Sequence, residues 1–252
     1  MTSPATSPAT SPASSPAFAV VVFTAHTEPT PEPTPTAGSA AHAFIKVDGR
    51  EAFLKSIDPF LNREHVRQLV ACFTPDFIDQ AKTKYGSHLM FVGVKVATGS
   101  NVFDQLASAM TRLLPEITHV IVHDGARCAV PSIDIDQLLE AGLKHDAVAL
   151  TSPVNSQVIE FDIDHPDQPV RTLHASGLRH LLFPQVYSRQ VFAEVCSSRT
   201  FPSLGQLKLL EGHPLNVRLN HPDEAALVKS VIQLLPKPKS TGPISPFEEA
   251  QW

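Results

Sequence analysis

The sequence predicts an α/β fold, a mostly parallel sheet with helices on both faces, and three observations carry that prediction. Short apolar runs rich in β-branched residues alternate with helical stretches of about 10–15 residues, the pattern of a doubly wound sheet. The first run, Phe18-Ala-Val-Val-Val-Phe23, is apolar at every position, as in a strand covered on both faces. A carboxylate follows directly on another such run, where His119-Val-Ile-Val122 leads into His123-Asp-Gly-Ala-Arg127. In parallel sheets ligands bind beyond the carboxyl ends of the strands, where that carboxylate would lie.

The elements follow in order. Residues 2–13 repeat Thr-Ser-Pro-Ala three times, a composition that cannot bury a core, so 1–16 is expected to be a disordered tail. Eight of the 23 prolines fall within the first 35 residues, which places the globular part after them. The strand 18–23 is followed by Thr27-Glu-Pro-Thr-Pro-Glu-Pro-Thr-Pro-Thr-Ala-Gly38, which four prolines confine to a loop. Helices are then expected near 50–61, 75–85, 102–114 and 133–144, and strands near 66–73, 89–96, 118–122 and 147–150. Two apolar runs around the turn-rich Asp162-Ile-Asp-His-Pro-Asp167 predict a β-hairpin arm, about 155–175, outside the main sheet and suited to dimer contacts. A helix near 187–196, short strands at 208–210 and 216–219 and a helix from Pro222 to Leu235 close the domain. Pro222-Asp-Glu suits a first helical turn, where the missing amide hydrogen costs nothing and the dipole favours acids. One domain over 17–235, with a flexible tail over 236–252, accounts for the 252 residues.

Composition narrows the function. With 42% hydrophobic and 18% charged residues and a net charge of −5, the chain has no basic footprint for nucleic acid. Cys72, Cys128 and Cys196 show no metal or disulfide spacing, so a reducing, cytoplasmic setting is expected. The run at 17–23 is too short to span a bilayer, and no Lys or Arg precedes Lys46, so neither a membrane anchor nor a secretory signal is expected. The twelve histidines form no metal-binding motif, and Ser203 lacks a hydrolase turn. Cys128 beside Arg127 reads either as an activated thiol or as a small buried core residue.

The strongest chemical signal is His123–Arg127. Asp124 at a strand end can hold a hard cation and Arg127 can meet a phosphate with two hydrogen bonds; alternatively, Asp124 serves the turn itself by bonding nearby amides. Three further segments bear on this. The pentapeptide is similar to the H-D-A-A-R of the 2-C-methyl-D-erythritol 4-phosphate cytidylyltransferases. Ser152-Pro-Val154 is similar to that family's A-P-V, and Ser176-Gly-Leu-Arg-His-Leu-Leu-Phe-Pro-Gln185 to its N-G-L-x-x-x-L-x-P-Q. Glu211-Gly-His-Pro-Leu-Asn-Val-Arg-Leu-Asn-His-Pro-Asp-Glu224 resembles its closing motif. The matches run in the family's order from about Ala17 to Leu235.

The resemblance implies a Rossmann-like nucleotidyltransferase fold, a homodimer through the hairpin arm, and transfer of a cytidylyl group from CTP to a sugar-alcohol phosphate with Mg²⁺, a step of isoprenoid biosynthesis. It implies that Asp124, Gly125, Ala126, Arg127 and Arg218 bind nucleotide and substrate, that Asp124 holds the metal, and that His42 stands where the family has its Lys-Gln pair. The departures fall on the triphosphate side. The glycine-rich A-A-G-x-G-x-R-M is replaced by a stretch with four prolines, Glu28 and Glu32 and no basic residue, which offers few amide hydrogens and repels polyphosphate. The nucleotide-holding G-G-x-x-R-x-x-S is replaced by Val96-Ala-Thr-Gly-Ser-Asn101, the second metal carboxylate by Leu215 and a substrate Arg by Ala175. Each lost charge costs on the order of a hundredfold to a thousandfold in rate, so cytidylyl transfer is expected to be weak or lost. The alternatives are a non-catalytic homologue that binds a phosphorylated ligand or a protein partner, and an enzyme of altered substrate.

Overall fold

The computed structural model describes residues 16–25, 41–61 and 63–236. The expectations for the N-terminal repeat, the proline-rich segment 27–38 and the tail beyond 236 lie outside the described residues.

The chain opens with β1 (Phe18–Phe23), then α1 (Ala41–Phe44), the paired short strands β2 (Lys46–Val47) and β3 (Arg50–Glu51), and α2 (Ala52–Ile57) running into a 3-10 turn. There follow β4 (Val66–Phe73), α3 (Pro75–Phe91), β5 (Val94–Thr98), α4 (Val102–Met110), β6 (His119–Asp124), α5 (Ser132–Gly142) and β7 (Ala147–Pro153). A hairpin of β8 (Val158–Phe161) and β9 (Pro169–Leu173) precedes β10 (Arg179–Ser188), α6 (Arg189–Ser198), β11 (Lys208–Glu211) and α7 (Ala225–Leu234).

Seven strands form one sheet in the order β11-β7-β10-β6-β1-β4-β5, parallel except for β10, which runs antiparallel to both neighbours. The α/β expectation is met, with helices on both faces. Along β1, Phe18, Val20 and Val22 pack with residues of α2, α3 and α5, whereas Ala19, Val21 and Phe23 pack with residues of α4 and α6. All six side chains are buried, which is why the run carries no polar alternation. At about 1.5–3 kcal/mol for each large apolar side chain, such a strand fixes the centre of the sheet. A smaller cluster seats α7 on Val47, Ala52, Cys128 and Leu219. Asn101 caps α4 by accepting from the Asp104 amide, and the Ser188 hydroxyl caps α6.

Several boundaries differ from the sequence-based expectation for physical reasons. The helix expected at 75–85 continues to Phe91, because Ala81, Tyr85 and Leu89 repeat every four residues on one buried face, so β5 begins at Val94 rather than 89. The helix expected over 50–61 is split among β3, α2 and the 3-10 turn at Asp58–Phe60, where Pro59 enters. Tyr187 lies in β10 rather than in a helix, and α6 starts at Arg189 after its Ser188 cap. Residues 216–219 form no strand; the Leu219 amide donates to the Ala126 carbonyl, while the Asn216 and Arg218 side chains bond Phe183 and Asp124. The hairpin is present as a separate two-stranded sheet.

Candidate functional site

Parallel pairing of β1 with β6 puts Phe23 opposite Asp124, so both strands end at the same level. The chain runs from β1 to β4 on one side and returns to β6 on the other, which opens a crevice beyond these ends. The turn after β6 is tight. Gly125 donates its amide to the Phe23 carbonyl at 2.8 Å, and a Cβ there would lie 3.1 Å from that same oxygen. Asp124 Oδ1 accepts from the Ala126 amide at 2.9 Å, the turn-building use of aspartate that the sequence also allowed. The His123 ring bonds the Arg127 carbonyl through Nε2 at 3.0 Å. A carbonyl only accepts, so Nε2 carries the hydrogen, and complete burial holds the imidazole neutral with its pKa pushed down to about 4.

Asp124 Oδ2 accepts from Arg218 Nε at 2.7 Å, with the two side chains 3% and 16% exposed. Arg218 Nη1 reaches Asn220 Oδ1 at 2.8 Å and His42 Nδ1 at 3.3 Å. A guanidinium only donates, so His42 Nδ1 accepts and the ring does not act as a cation in this contact. Arg127 Nη1 donates to the Asn216 carbonyl at 3.0 Å, while its buried Nε has no hydrogen-bond partner. Burial lowers the Arg127 pKa; the Asp124 charge opposes that fall and the Arg218 charge adds to it. Two guanidiniums thus flank one carboxylate. The surplus positive charge faces a cavity of about 810 Å³, and no acidic residue among the described residues lines it.

The same arrangement bears on a divalent cation. Magnesium takes six oxygens in a near-octahedral shell, commonly with one or two carboxylates. Asp124 has already committed one oxygen to an amide and the other to Arg218, and Leu215 supplies none. No group of three or more His, Cys, Asp or Glu side chains able to hold a metal occurs among the described residues. A cation at Asp124 would stand beside a guanidinium, so this donor set does not fit magnesium as arranged.

At the end of β1 the chemistry is different. The amides of Thr24 and Ala25 both donate to Gln105 Oε1, at 3.0 and 3.3 Å, and Gln105 Nε2 donates to the Gly99 carbonyl at 3.2 Å. Gly99 is packed so closely on α4 that a Cβ would lie 2.3 Å from the Gln105 nitrogen. Asn101 and Asp104 are bridged by Arg199. The first two amides after β1 are therefore consumed within the protein. Cys128 is the core alternative rather than an activated thiol: burial pushes it up to about 11.

A family model for 2-C-methyl-D-erythritol 4-phosphate cytidylyltransferase matches residues 36–233. The chain belongs to this family. The match begins beyond β1 and the four prolines at 29–35, the part of the sequence that departs furthest from the family pattern. A curated relative of that name from Frankia casuarinae is 27% identical over 157 residues, 62% of this chain and 57% of its own length. Another from Vibrio vulnificus strain CMCP6 is 24% identical over 207 residues, 74% of this chain and 84% of its own. The chain thus spans less than two thirds of the Frankia relative. The crystal structure of 2-C-methyl-D-erythritol 4-phosphate cytidylyltransferase from Thermus thermophilus superposes with a TM-score of 0.64 at 18% identity, covering 85% of this chain and 98% of that one. A 4-diphosphocytidyl-2C-methyl-D-erythritol synthase from Anaerococcus prevotii gives 0.66 at 15%, covering 86% and 96%. At such identities the likeness establishes the fold.

Asp124, Arg127, Arg218 and His42, singled out from the sequence, are brought together; Gly125 and Ala126 shape the turn rather than present side chains. Sequence reasoning missed Asn216 and Asn220, which hold the two arginines, although both stood within the closing motif. It also missed Gln105, whose partners lie some eighty positions away.

Proposed function

We propose that this chain binds a phosphorylated sugar alcohol in the cavity of Arg127 and Arg218 and transfers cytidylyl groups from CTP slowly or not at all. The observation that carries this reading is the imbalance at Asp124: two arginines, one of them with a buried unpartnered Nε, against one carboxylate, beside a cavity lined by no acid among the described residues. A phosphate supplies the missing charge and accepts in the two-pronged manner that guanidinium favours. The opposite loss supports the second half of the reading. The Thr24 and Ala25 amides are engaged by Gln105, the following segment holds four prolines and two glutamates, and the donor set at Asp124 does not suit a magnesium ion.

Each group has its own task. Arg127, fixed by the Asn216 carbonyl, orients the phosphate, while Arg218 spans Asp124 and the incoming anion. The His123 ring holds the turn, and Asp124 keeps Arg218 extended. We also propose that the hairpin joins two copies into a homodimer, supported by the exposure of Ile159, Phe161, Ile163 and Val170 on it. Light scattering on the hairpin variant Phe161→Asp/Ile163→Asp tests this. No helix among the described residues is long and apolar enough to cross a membrane, and a cytoplasmic setting agrees with three cysteines that are free thiols.

The deciding experiment mixes protein, CTP, methylerythritol phosphate and Mg²⁺ and follows pyrophosphate release, with thermal shifts for each ligand alone. The expected result is a shift with the sugar-alcohol phosphate, none with millimolar CTP, and negligible turnover. Turnover on the order of 1 s⁻¹ or more that is lost in Asp124→Ala would overturn the reading in favour of an active enzyme.

A further inference from the structure

The cavity is longer than its arginine pair requires. Its inner end is marked by Arg127, Arg218 and Asn216, with Asn216 Nδ2 bonded to the Phe183 carbonyl of β10 at 2.9 Å. Its outer end is lined by Arg179, at the start of the same strand, and by His180 and Ser152, which face each other across β10 and β7. Four residues of strand separate Phe183 from Arg179, on the order of 13 Å at 3.3 Å per residue.

Arg179 is oriented as well as exposed. Its Nη1 donates to the Ser176 and Leu178 carbonyls at 3.1 and 2.8 Å, which fixes the plane of the guanidinium. Nε and Nη2 keep three N–H groups that no partner among the described residues accepts. No carboxylate among the described residues lines the cavity to neutralise it. Arg127 and Arg218 at one part of the wall and Arg179 at another, with serine and asparagine side chains between them, thus line one space.

From this we infer that the cavity has a second anion subsite at Arg179, His180 and Ser152, and that its ligand is an extended polyol carrying a phosphate at each end. The inference rests on the reading that the inner end binds a phosphorylated sugar alcohol, and adds the length and second charge of the ligand. A monophosphate fills only the inner end. A ligand with adjacent phosphates brings the charge but not the span.

Isothermal titration at 0.15 M salt distinguishes these, with mannitol 1-phosphate, mannitol 1,6-bisphosphate and pyrophosphate as probes. The bisphosphate is expected to bind about tenfold or more tighter than the monophosphate, the effect of one added charge-assisted anchor. In Arg179→Gln that ratio falls to about one, while the monophosphate and pyrophosphate affinities stay within about twofold of the parent chain. Circular dichroism confirms that this surface variant is folded. Equal affinities for the two mannitol phosphates, or an unchanged ratio in Arg179→Gln, would overturn the second subsite and leave the inner site standing. Failure of every probe to bind would overturn both readings.

Discussion

The two ends of the crevice beyond β1 and β6 start from the same backbone and reach opposite states. Beyond β6, Asp124, Arg127 and Arg218 form a charged set with more donors than acceptors, open to a cavity. Beyond β1, the Thr24 and Ala25 amides close on a neutral glutamine from α4. Both ends lie beyond adjacent parallel strands of one sheet. What separates them is whether oriented donors are left over once the protein has satisfied itself. An anion site is a surplus of such donors, and a motif that spends its donors internally is a structural joint.

That contrast can be broken from either side. The largest effect is expected at the closed end. Gln105→Leu leaves two buried amides and the Gly99 carbonyl without their partner, at about 1–3 kcal/mol each, so a loss of about 3–4 kcal/mol should be read in urea denaturation. Gly99→Ala drives a methyl group into the backbone of α4 and should cost about 3 kcal/mol by the same measurement. A loss below about 1 kcal/mol in both would mean that the closed end is not a joint at all.

Acid should separate the two ends next. The folded pKa of His123 lies near 4, below its unfolded value of about 6.5, so its neutral form favours folding. Its contribution is complete well above pH 6.5 and is lost as pH falls from 6.5 towards 4, on the order of 3 kcal/mol in total. The contacts of the Gln105 side chain, to the Thr24 and Ala25 amides and the Gly99 carbonyl, involve no titratable group. Hydrogen exchange at pH 4.5 should therefore deprotect residues 123–131 before 99–106, and equal deprotection would contradict the assignment.

Smaller effects are expected at the open end. Arg218→Gln leaves Asp124 buried without its cation, and because Arg218 keeps some solvent contact a loss of about 2 kcal/mol is expected, below the range for a fully buried pair. The same variant should lose sugar-alcohol phosphate binding by at least tenfold. Arg127→Lys keeps the charge but not the two-pronged geometry, and should weaken binding about fivefold, near 1 kcal/mol, with little change in stability.

How much of this the sequence carried depends on the range over which each signal acts. β1 and β4 agree with their expected limits, because β1 is apolar at every position and Leu69–Phe73 of β4 are apolar and buried on both faces, each run ending at a threonine. β10 was not expected: Pro184 interrupts it, its register shifts between Leu182 and Gln185, and its outer half is exposed, so neither alternation nor a continuous apolar run marks it. In the site, Asp124 and Arg127 were readable because one turn holds both. Arg218 and His42 were reached through the family resemblance, since nothing local says that residues 94 and 176 positions apart share one contact network. Gln105 was unreadable for the same reason, being an ordinary helical residue whose meaning comes from a strand on the other side of the crevice.

The hairpin has a further consequence. Pro153 and Arg179, the last residue of β7 and the first of β10, are register partners in neighbouring strands, so the segment between them leaves the sheet and returns to the point of departure. Lengthening, shortening or exchanging it asks nothing of the seven-stranded frame, because closing a loop grows costlier only slowly with its length. The arm is in this sense an interchangeable attachment whose socket is also the rim of the cavity lined by Pro153 and Arg179. A change in the length of the arm would therefore alter, in the same stroke, the wall of that cavity.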